Sequence, residues 1–313
     1  MGLGEPTLYG ADVELHPLDQ APEWFQRALA VPYEDRTVTV EGASIHYLAW
    51  GRPGAPGLVF IHGGGAHAHW WTHVAAEFAD RYRIAAVDLS GHGDSDHRDA
   101  YSMEIWAAEV MAVADGLGCA GNPVVVGHSM GGFVAIATGA LHGHRLAGVV
   151  VCDSPVREPD PEVSAARSGE AFGKPRVYPD VETALERFRT VPEQEHYLPF
   201  VMDNVARRSL RQVEDGYVWK FDRHVFDAIG HPRDVARPFL SQVQCRLALL
   251  ASENGLVTPE VGKYMYDLLG RVAPVIELPQ AGHHPMLDVP LILLTAVRTL
   301  LADWEHSVPF SRD

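Results

Sequence analysis

Short, nearly continuous apolar runs recur along this 313-residue chain and alternate with longer stretches of helical spacing. Runs without a polar residue at every second position are typical of strands covered on both faces, as in parallel sheets. Such runs occupy residues 58–61, 83–87, 124–126, 146–152, 246–250 and 275–278. Apolar residues three and four apart, which form one face of a helix, occupy residues 101–117, 133–141, 259–269 and 286–304. The alternation predicts an α/β fold with a mostly parallel, doubly wound sheet and helices on both faces.

The chain before the first buried run has a different pattern. Residues 37–50 predict a hairpin that turns at Glu41 and Gly42, because alternating strand-forming segments flank this pair. Residues 1–36 form a proline-containing N-terminal extension with one helical patch at residues 22–30. We assign no function to this extension.

The strand pattern also stops in the second half of the chain. Between Pro155 and Val243 no buried strand run occurs, and residues 180–189 and 197–211 have helical spacing. An insertion of this kind is typical of a lid over a functional site. The predicted organisation is an α/β core of residues 37–155 and 243–313, with residues 156–242 inserted as a helical cap.

One apolar run leads into the pattern G-x-S-x-G, which spans residues 127–131. Between a strand and a helix, this pattern places a serine on a sharp turn above the sheet edge. Glycine is needed on both sides because a tight turn packed on neighbouring backbone leaves no room for a Cβ atom. We predict that Ser129 is a nucleophile and that the start of the following helix stabilises an adjacent oxyanion.

A second glycine-rich turn follows the run at residues 58–61, where the chain reads HGGG at residues 62–65. Consecutive glycines leave backbone N–H groups open to a ligand, as an oxyanion hole requires, and turns of this type serve that purpose. Gly64 and Met130 are the residues whose N–H groups we expect to bind the oxyanion.

A loop with two histidines is predicted after the run at residues 275–278. Imidazole exchanges protons near neutral pH, and a loop after a late strand can reach back over the sheet to the nucleophile. His283 directly follows Gly282 and is our candidate for the general base. His284 is the alternative.

Four motifs resemble those of the α/β-hydrolase superfamily in order and spacing: HGGG at 62–65, DLSGHGDS at 88–95, GHSMGG at 127–132 and AGHH at 281–284. The resemblance covers about residues 37–155 and 243–304. It implies the fold predicted above, a serine nucleophile, and the chain order nucleophile, acid, histidine. It carries almost no information about the substrate.

The acid that orients the histidine departs from the commonest pattern of this superfamily. Most relatives have an aspartate after the strand that corresponds to residues 246–250, but residues 251–255 read ASENG here. A carboxylate is still required to hold the imidazole in one tautomer and to stabilise the imidazolium. Asp153 ends the preceding strand, where some members of the superfamily have their acid. We predict Asp153 as the acid, with Glu253 as the alternative.

Composition and charge narrow the range of functions. Hydrophobic residues make up 47% of the chain, enough for one large core with a modest insertion. The formal net charge of −16 argues against nucleic acid and anionic membranes as partners, since both require basic patches. We expect a small-molecule substrate that is neutral or cationic rather than polyanionic, and the chain is compatible with a homodimer. Residues 1–20 lack the features of a signal peptide, so the predicted location is cytoplasmic.

Four histidines that are close in sequence raise the question of a metal site: His62, His67, His69 and His73. Two of them, His67 and His69, have a spacing that zinc ligands use. However, the HxHxDH pattern of a metallohydrolase is absent, because Trp71 and Thr72 occupy its later positions. We expect neither a metal nor another cofactor.

These residues together predict a serine hydrolase that cleaves a carboxylic ester or lactone of a small, mostly neutral molecule through an acyl-enzyme. The serine at position 129 argues against epoxide hydrolases and haloalkane dehalogenases, which resemble this fold but use aspartate there. Three alternatives stay open: hydrolysis of a carbon–carbon bond or a thioester by the same residues, a non-hydrolytic lyase or oxygenase, and a ligand-sensing protein. Aromatic and histidine side chains form the predicted substrate pocket: Trp70, His128, Trp219 and Phe221.

Overall fold

A computed structural model, which describes residues 20–157, 176–228 and 232–306, contains the predicted sheet. Eight strands of the described chain form it in the spatial order β1-β2-β4-β3-β5-β6-β9-β10. The pairs β1–β2 and β2–β4 are antiparallel, and the other neighbours are parallel. The strand bounds are β1 Glu34–Val40, β2 Ala43–Trp50, β3 Pro56–Ile61, β4 Arg83–Val87, β5 Ala120–His128, β6 Gly148–Cys152, β9 Arg246–Asn254 and β10 Val275–Gly282. The α/β fold class predicted from the sequence is confirmed.

Helices cover both faces of this sheet. Within β3, Val59 and Ile61 pack into the core on one face and Leu58 and Phe60 into the core on the other, because successive side chains of a strand point in opposite directions. This two-sided burial explains why the strand runs are continuously apolar. The helix bounds are α1 Glu23–Ala30, α2 Thr72–Ala75, α3 Met103–Leu117, α4 Met130–His142, α5 Val181–Leu185, α6 Pro199–Arg208, α7 His224–Ala228, α8 Pro232–Leu240, α9 Pro259–Leu268, α10 Pro285–Asp288 and α11 Pro290–His306.

Local sequence signals set several of these boundaries. The hairpin turns at Glu41 and Gly42, whose φ angles of 47° and 83° match the two left-handed positions of a tight hairpin turn. Helix α3 begins after Ser102, whose side chain accepts a hydrogen bond from the Ile105 amide at 3.2 Å. It ends at Gly118, which has a left-handed φ of 70°.

Two strands extend further than the apolar pattern predicts. β9 continues through residues 251–254 and β10 through residues 279–282, which we had expected to be loops. Backbone pairing continues there although the side chains are no longer covered on both faces, so the apolar signal ends before the strand does.

The predicted helix at residues 286–304 is divided at Val289, because proline at position 290 cannot donate the hydrogen bond of a continuous helix.

The predicted cap is not purely helical, and in this respect the sequence prediction is wrong. Besides α5, α6 and α7, it contains an antiparallel pair of strands, β7 Leu210–Val213 and β8 Gly216–Trp219. Most of the side chains of these short strands are half-buried, so they produce no buried apolar run. Helix α8, which we assigned to the cap, packs on α4 in the helical layer of the core. Residues 158–175 and 229–231 of the predicted cap lie outside the described residues.

The N-terminal extension contributes a helix to the core, as the helical patch at residues 22–30 predicts. Phe25 of α1 is fully buried and its ring lies 5.6 Å from that of His73 and 4.9 Å from that of Phe200. The helix therefore contacts both the core and the cap segment, the name used here for residues 176–228 of the insertion. Residues 1–19, which belong to the same extension, lie outside the described part of the chain. Among the described helices, none has the length and apolar character required to span a bilayer.

Candidate active site

Ser129 occupies a strained turn between β5 and α4. Its φ of 53° and ψ of −119° are unusual for a residue with a side chain and are imposed by the close packing of the turn. A Cβ atom at Gly127 would lie 2.1 Å from the Gly131 carbonyl oxygen, and one at Gly131 would lie 2.4 Å from the His62 carbonyl oxygen. Both glycines of the motif are thus required by backbone contacts, which explains the G-x-S-x-G pattern sterically.

His283 reaches Ser129 from the end of β10. Its Nε2 atom lies 3.0 Å from the Ser129 Oγ atom. His284 does not make this contact, since its Nε2 donates instead to the Pro192 carbonyl oxygen at 3.3 Å. The structure therefore brings His283, and not the alternative His284, to the serine hydroxyl.

Asp153 lies on the other side of His283. Its Oδ2 atom is 2.6 Å from His283 Nδ1, so the imidazole donates from Nδ1 and presents the Nε2 lone pair to the serine. Asp153 is fully buried, and its carboxylate also accepts the amides of Leu256 at 2.8 Å and Val257 at 3.2 Å. These amides belong to the segment that follows β9. They now hold a carboxylate that comes from β6.

The alternative acid, Glu253, does not contact either histidine. It is exposed on β9, and its Oε2 accepts a hydrogen bond from the Gln280 amide at 2.7 Å. A sequence signal for this outcome exists at Gly255, where a Cβ atom would lie 2.4 Å from Asp153 Oδ2. The glycine at this position makes room for a carboxylate from the neighbouring strand.

The predicted oxyanion-binding residues lie beside the serine turn. Met130 is the first residue of α4, so its N–H has no partner within its own helix. The glycine turn after β3 packs against it: a Cβ atom at Gly63 would lie 3.4 Å from Ser129 Cβ, and one at Gly64 would lie 3.7 Å from Met130 Sδ. The two segments that carry the predicted N–H donors are therefore in contact at the serine.

A cavity of about 470 Å³ opens beside Ser129. All four side chains predicted for the substrate pocket lie in its wall: Trp70, His128, Trp219 and Phe221. Aromatic residues of the cap segment extend this wall, with the Trp219 ring 5.5 Å from the rings of both Tyr178 and Phe188. The sequence prediction missed Tyr178, which lies in an isolated bridge, and Phe188, which follows α5, because single aromatic residues in such segments have no motif.

The charge of this cavity is opposite to that of the whole chain. Three exposed arginines of the cap segment line it, at positions 176, 187 and 189, and within the described part of the chain no aspartate or glutamate does. The imidazoles in the wall are neutral at neutral pH: burial lowers the pKa of His128 to about 3 and also depresses the pKa of His284. The expectation of a neutral or cationic substrate came from the net charge of the whole chain, and it stays a prediction.

Two side chains hold the His283 loop from opposite sides. Asp288 of α10 accepts a hydrogen bond from the Gly282 amide, and Gln194 of the cap segment accepts one from the His284 amide at 2.8 Å. Gln194 is itself held, because its Nε2 donates to the His196 carbonyl oxygen at 2.8 Å. The residues before and after His283 are thus tied to the core and to the cap.

The four histidines considered as metal ligands are bonded within the protein. His67 Nε2 lies 2.8 Å from Ser209 Oγ, and His69 Nδ1 lies 3.2 Å from Thr72 Oγ1. His62 and His73 donate to backbone carbonyl oxygens, each at 2.7 Å. Other groups of the described residues have ligand atoms close enough for a metal ion: His128 with His283 and His284, and His46 with Asp88 and Asp94.

Asp88 supports the glycine turn from below. It accepts hydrogen bonds from the Ala68 amide at 2.6 Å, from the Asp94 amide at 2.9 Å and from His46 Nδ1 at 2.7 Å. Burial opposes ionisation of this carboxyl, but the hydrogen bond from His46 and the positive charge of that imidazole hold its pKa below the usual range. Asp88 therefore stabilises the segments behind the site and does not contact Ser129 or His283.

Known proteins similar to this chain include two esterases. An esterase of Mycobacterium tuberculosis is 26% identical over 272 residues, which cover 84% of this chain and 88% of that protein. A pimeloyl-[acyl-carrier protein] methyl ester esterase of Chromobacterium violaceum is 31% identical over 244 residues, covering 74% and 89%. Epoxide hydrolase 4 of Mus musculus is 31% identical over 117 residues, 36% of this chain. The chain covers between 31% and 45% of the length of the epoxide hydrolases that it matches here.

Solved structures share the fold. The thioesterase domain from the curacin biosynthetic pathway has a TM-score of 0.71 and 24% identity, covering 85% of this chain and 99% of that domain. E-2-(acetamidomethylene)succinate hydrolase has a TM-score of 0.74 and 19% identity, covering 87% and 100%. Residues 58–295, more than half of the chain, match the alpha/beta hydrolase family. The matched segment contains the serine turn, Asp153 and His283. The chain therefore belongs to the alpha/beta hydrolase family.

Proposed function

We propose that this protein is a serine hydrolase that cleaves a carboxylic ester or lactone of a small molecule through an acyl-enzyme. The observation that carries the proposal is the unbroken hydrogen-bonded series from Asp153 through His283 to Ser129 at one end of a cavity. A serine hydroxyl is a weak nucleophile on its own, and an oriented imidazole is what activates it. The esterases among the similar proteins are consistent with this chemistry.

In the proposed reaction, Ser129 Oγ attacks the carbonyl carbon of the ester while His283 Nε2 accepts the hydroxyl proton. Asp153 stabilises the imidazolium that forms, and the N–H groups of Gly64 and Met130 bind the oxyanion. His283 then returns the proton to the leaving alcohol. Water repeats the sequence on the acyl-enzyme and releases the acid, with His283 again as base.

The nucleophile also distinguishes this site from that of an epoxide hydrolase. Part of the chain is similar to epoxide hydrolases. Position 129 is serine here, whereas the epoxide hydrolases that resemble this fold use aspartate as the nucleophile. The similarity covers between 31% and 45% of those proteins and does not extend over their full length. Acyl transfer to water is therefore the function that the residues at the site favour.

The test is hydrolysis of 4-nitrophenyl acetate and butyrate, followed by a panel of lactones and thioesters. We expect the Ser129→Ala variant to lose about 10⁴-fold or more in kcat, and a fluorophosphonate probe to label Ser129 in the unmodified protein. The exposed Ser241 is the matched control, and Ser241→Ala should keep full activity. Absence of turnover on every substrate, together with no adduct on Ser129, would contradict the proposal.

A further inference from the structure

We propose that the cavity beside Ser129 binds a substrate with an anionic group, a carboxylate or a phosphate, at a site formed by the three cap arginines: Arg176, Arg187 and Arg189. This inference deepens the proposed function and rests on it. The proposed substrate is an ester whose acyl part ends in an acid. The ester carbonyl lies at Ser129, and the acid lies at the arginines.

The first argument is the composition of the cavity wall. Among the described residues, this wall contains three arginines and no aspartate or glutamate, which gives it a formal charge of +3 in a chain whose net charge is −16. Acidic residues outnumber basic residues 41 to 25 over the sequence. A cationic wall at the serine is therefore a local departure from the acidic character of the chain. A pocket lined by one sign of charge attracts ligands of the opposite sign.

The second argument is that these guanidinium groups are not neutralised within the described residues. None of the three forms an ion pair with a carboxylate there, and Arg189 is bonded only to the backbone carbonyl oxygens of Glu186 and Phe188, at 3.0 and 2.6 Å. These two bonds use one terminal nitrogen and fix the direction of the side chain. Arg187 and Arg189 also line an adjacent cavity, whose wall has four acidic residues: Glu186, Glu193, Glu195 and Asp203. Asp203 pairs with Arg207, and none of the four forms an ion pair with the two arginines.

The third argument is that the other described residues of the wall are uncharged. His128 and His284 are neutral, and Tyr178, Phe188 and Trp219 form a continuous aromatic surface. Such a surface suits the apolar body of a ligand. The cavity volume of about 470 Å³ is that of a small-molecule site. The substrate is then mostly neutral, with its charge at one end.

Arginine is the side chain best suited to this recognition. Its planar guanidinium presents paired N–H groups that match the two oxygens of a carboxylate or of a phosphate. Both oxyanions satisfy the same geometry, so the experiment has to separate them.

The experiment compares three substrates with the same leaving group and nearly the same length. These are mono-4-nitrophenyl adipate, its methyl ester, and 4-nitrophenyl 6-phosphonohexanoate. We expect kcat/KM to be at least about tenfold higher for an acid than for the methyl ester, and the preference to shrink when ionic strength rises from about 0.05 to 0.5 M. The preferred acid identifies the group as carboxylate or phosphate.

Substitution of the arginines localises the preference. Arg176→Gln, Arg187→Gln and Arg189→Gln should each lower the ratio of acid to methyl-ester kcat/KM by about threefold to tenfold. Arg207→Gln removes the same charge from α6 outside this cavity wall and should leave the ratio unchanged. Because the readout is a ratio, a general loss of folding or of catalysis does not imitate the effect.

The possible results distinguish failure of the anion site from failure of the proposed function. If the methyl ester is hydrolysed through Ser129 at least as well as both acids, the anion site is refuted while the proposed function stands. The same holds if Arg207→Gln changes the ratio as much as the cavity arginines do. If none of the three esters is hydrolysed and no adduct forms on Ser129, the proposed function itself has failed.

Discussion

Asp153 and Glu253 differ in what stabilises their charge. Asp153 is buried and receives three backbone amides in addition to His283, whereas Glu253 is exposed and receives the amide of Gln280. Replacing Asp153 with asparagine keeps the shape of the side chain but removes its negative charge and replaces one acceptor oxygen with an NH₂ donor, which opposes the Nδ1–H tautomer of His283. We expect Asp153→Asn to lower kcat by about 10⁴-fold and Glu253→Gln to leave it within a small factor. Steady-state ester hydrolysis by the two variants measures this, and the reverse order of effects would assign the acid to Glu253.

How far the site follows from sequence depends on the kind of signal each residue gives. Ser129 and His283 could be predicted because the turn and the loop that position them require glycine neighbours, which are visible in the chain. Asp153 could be ranked but not decided, since the amides that bind it come from residues about 100 positions later. The arginines at positions 176, 187 and 189 could not be predicted, because nothing in the sequence indicates which charges of the cap face the cavity.

Some hydrogen bonds between elements should affect catalysis although the residues that form them do not contact the substrate. Gln194 joins the cap segment to the amide of His284, next to the proposed base. Loss of this bond frees the histidine loop, and a displacement of about 1 Å can reduce a rate roughly 100-fold. We expect Gln194→Ala to lower kcat by about 10- to 100-fold with little change in KM.

The acceptor oxygen of Gln194 is what this prediction depends on. Gln194→Glu keeps an oxygen at the same position and should recover most of the activity that Gln194→Ala loses. The exposed neighbour Glu195 is the control, and Glu195→Ala should resemble the unmodified protein. Equal losses in the alanine and glutamate variants would show that the bond to His284 is not the cause.

Helix α1 is the element that connects the N-terminal extension to the core. Phe25 is fully buried between the rings of His73 and Phe200, so its truncation leaves a cavity that neighbouring elements cannot fill. We expect Phe25→Ala to lower the free energy of unfolding by about 3 to 5 kcal/mol, measured by urea denaturation. Leu29, in the same helix but only half-buried, provides the comparison, and Leu29→Ala should cost clearly less.

The elements differ in how well the sequence predicts them, for a physical reason. β3, β4, β5 and β6 are buried on both faces, so their apolar runs are distinct. The side chains of the β7–β8 hairpin are mostly half-buried, so its strands have no continuous apolar run that the sequence could reveal.

At the scale of the whole molecule, an unusual number of histidines are buried in the neutral form. Burial lowers the pKa of each of the following: His62, His67, His69, His73, His92, His128 and His284. Their pKa is about 6.5 in the unfolded chain, so between that pH and the lower folded-state value the unfolded state binds more protons. Stability is therefore present above about pH 6.5 and is lost as pH falls toward 4.

His73 allows this prediction to be measured at one residue. Its pKa of about 4 in the folded protein implies a loss of about 2 kcal/mol between pH 7.5 and pH 5. Glutamine at this position can still donate to the Met286 carbonyl oxygen but does not titrate. In urea unfolding, His73→Gln should narrow the difference in stability between these two pH values by about that amount, and the exposed control His144→Gln should not. An unchanged difference in His73→Gln would contradict the prediction.

The location of the acid at the end of β6 has a consequence for protein engineering. Asp153 is the last residue of the proposed triad before the chain leaves the sheet for the cap. His283, the third residue of the triad, follows only after β10. Exchange of the cap for that of another enzyme must therefore splice beyond Val156, whose buried side chain packs in the core, and rejoin the chain before α8. A chimera joined four residues earlier would lose Asp153, the proposed acid, together with the cap. Its lack of activity would then be attributed wrongly to the new cap.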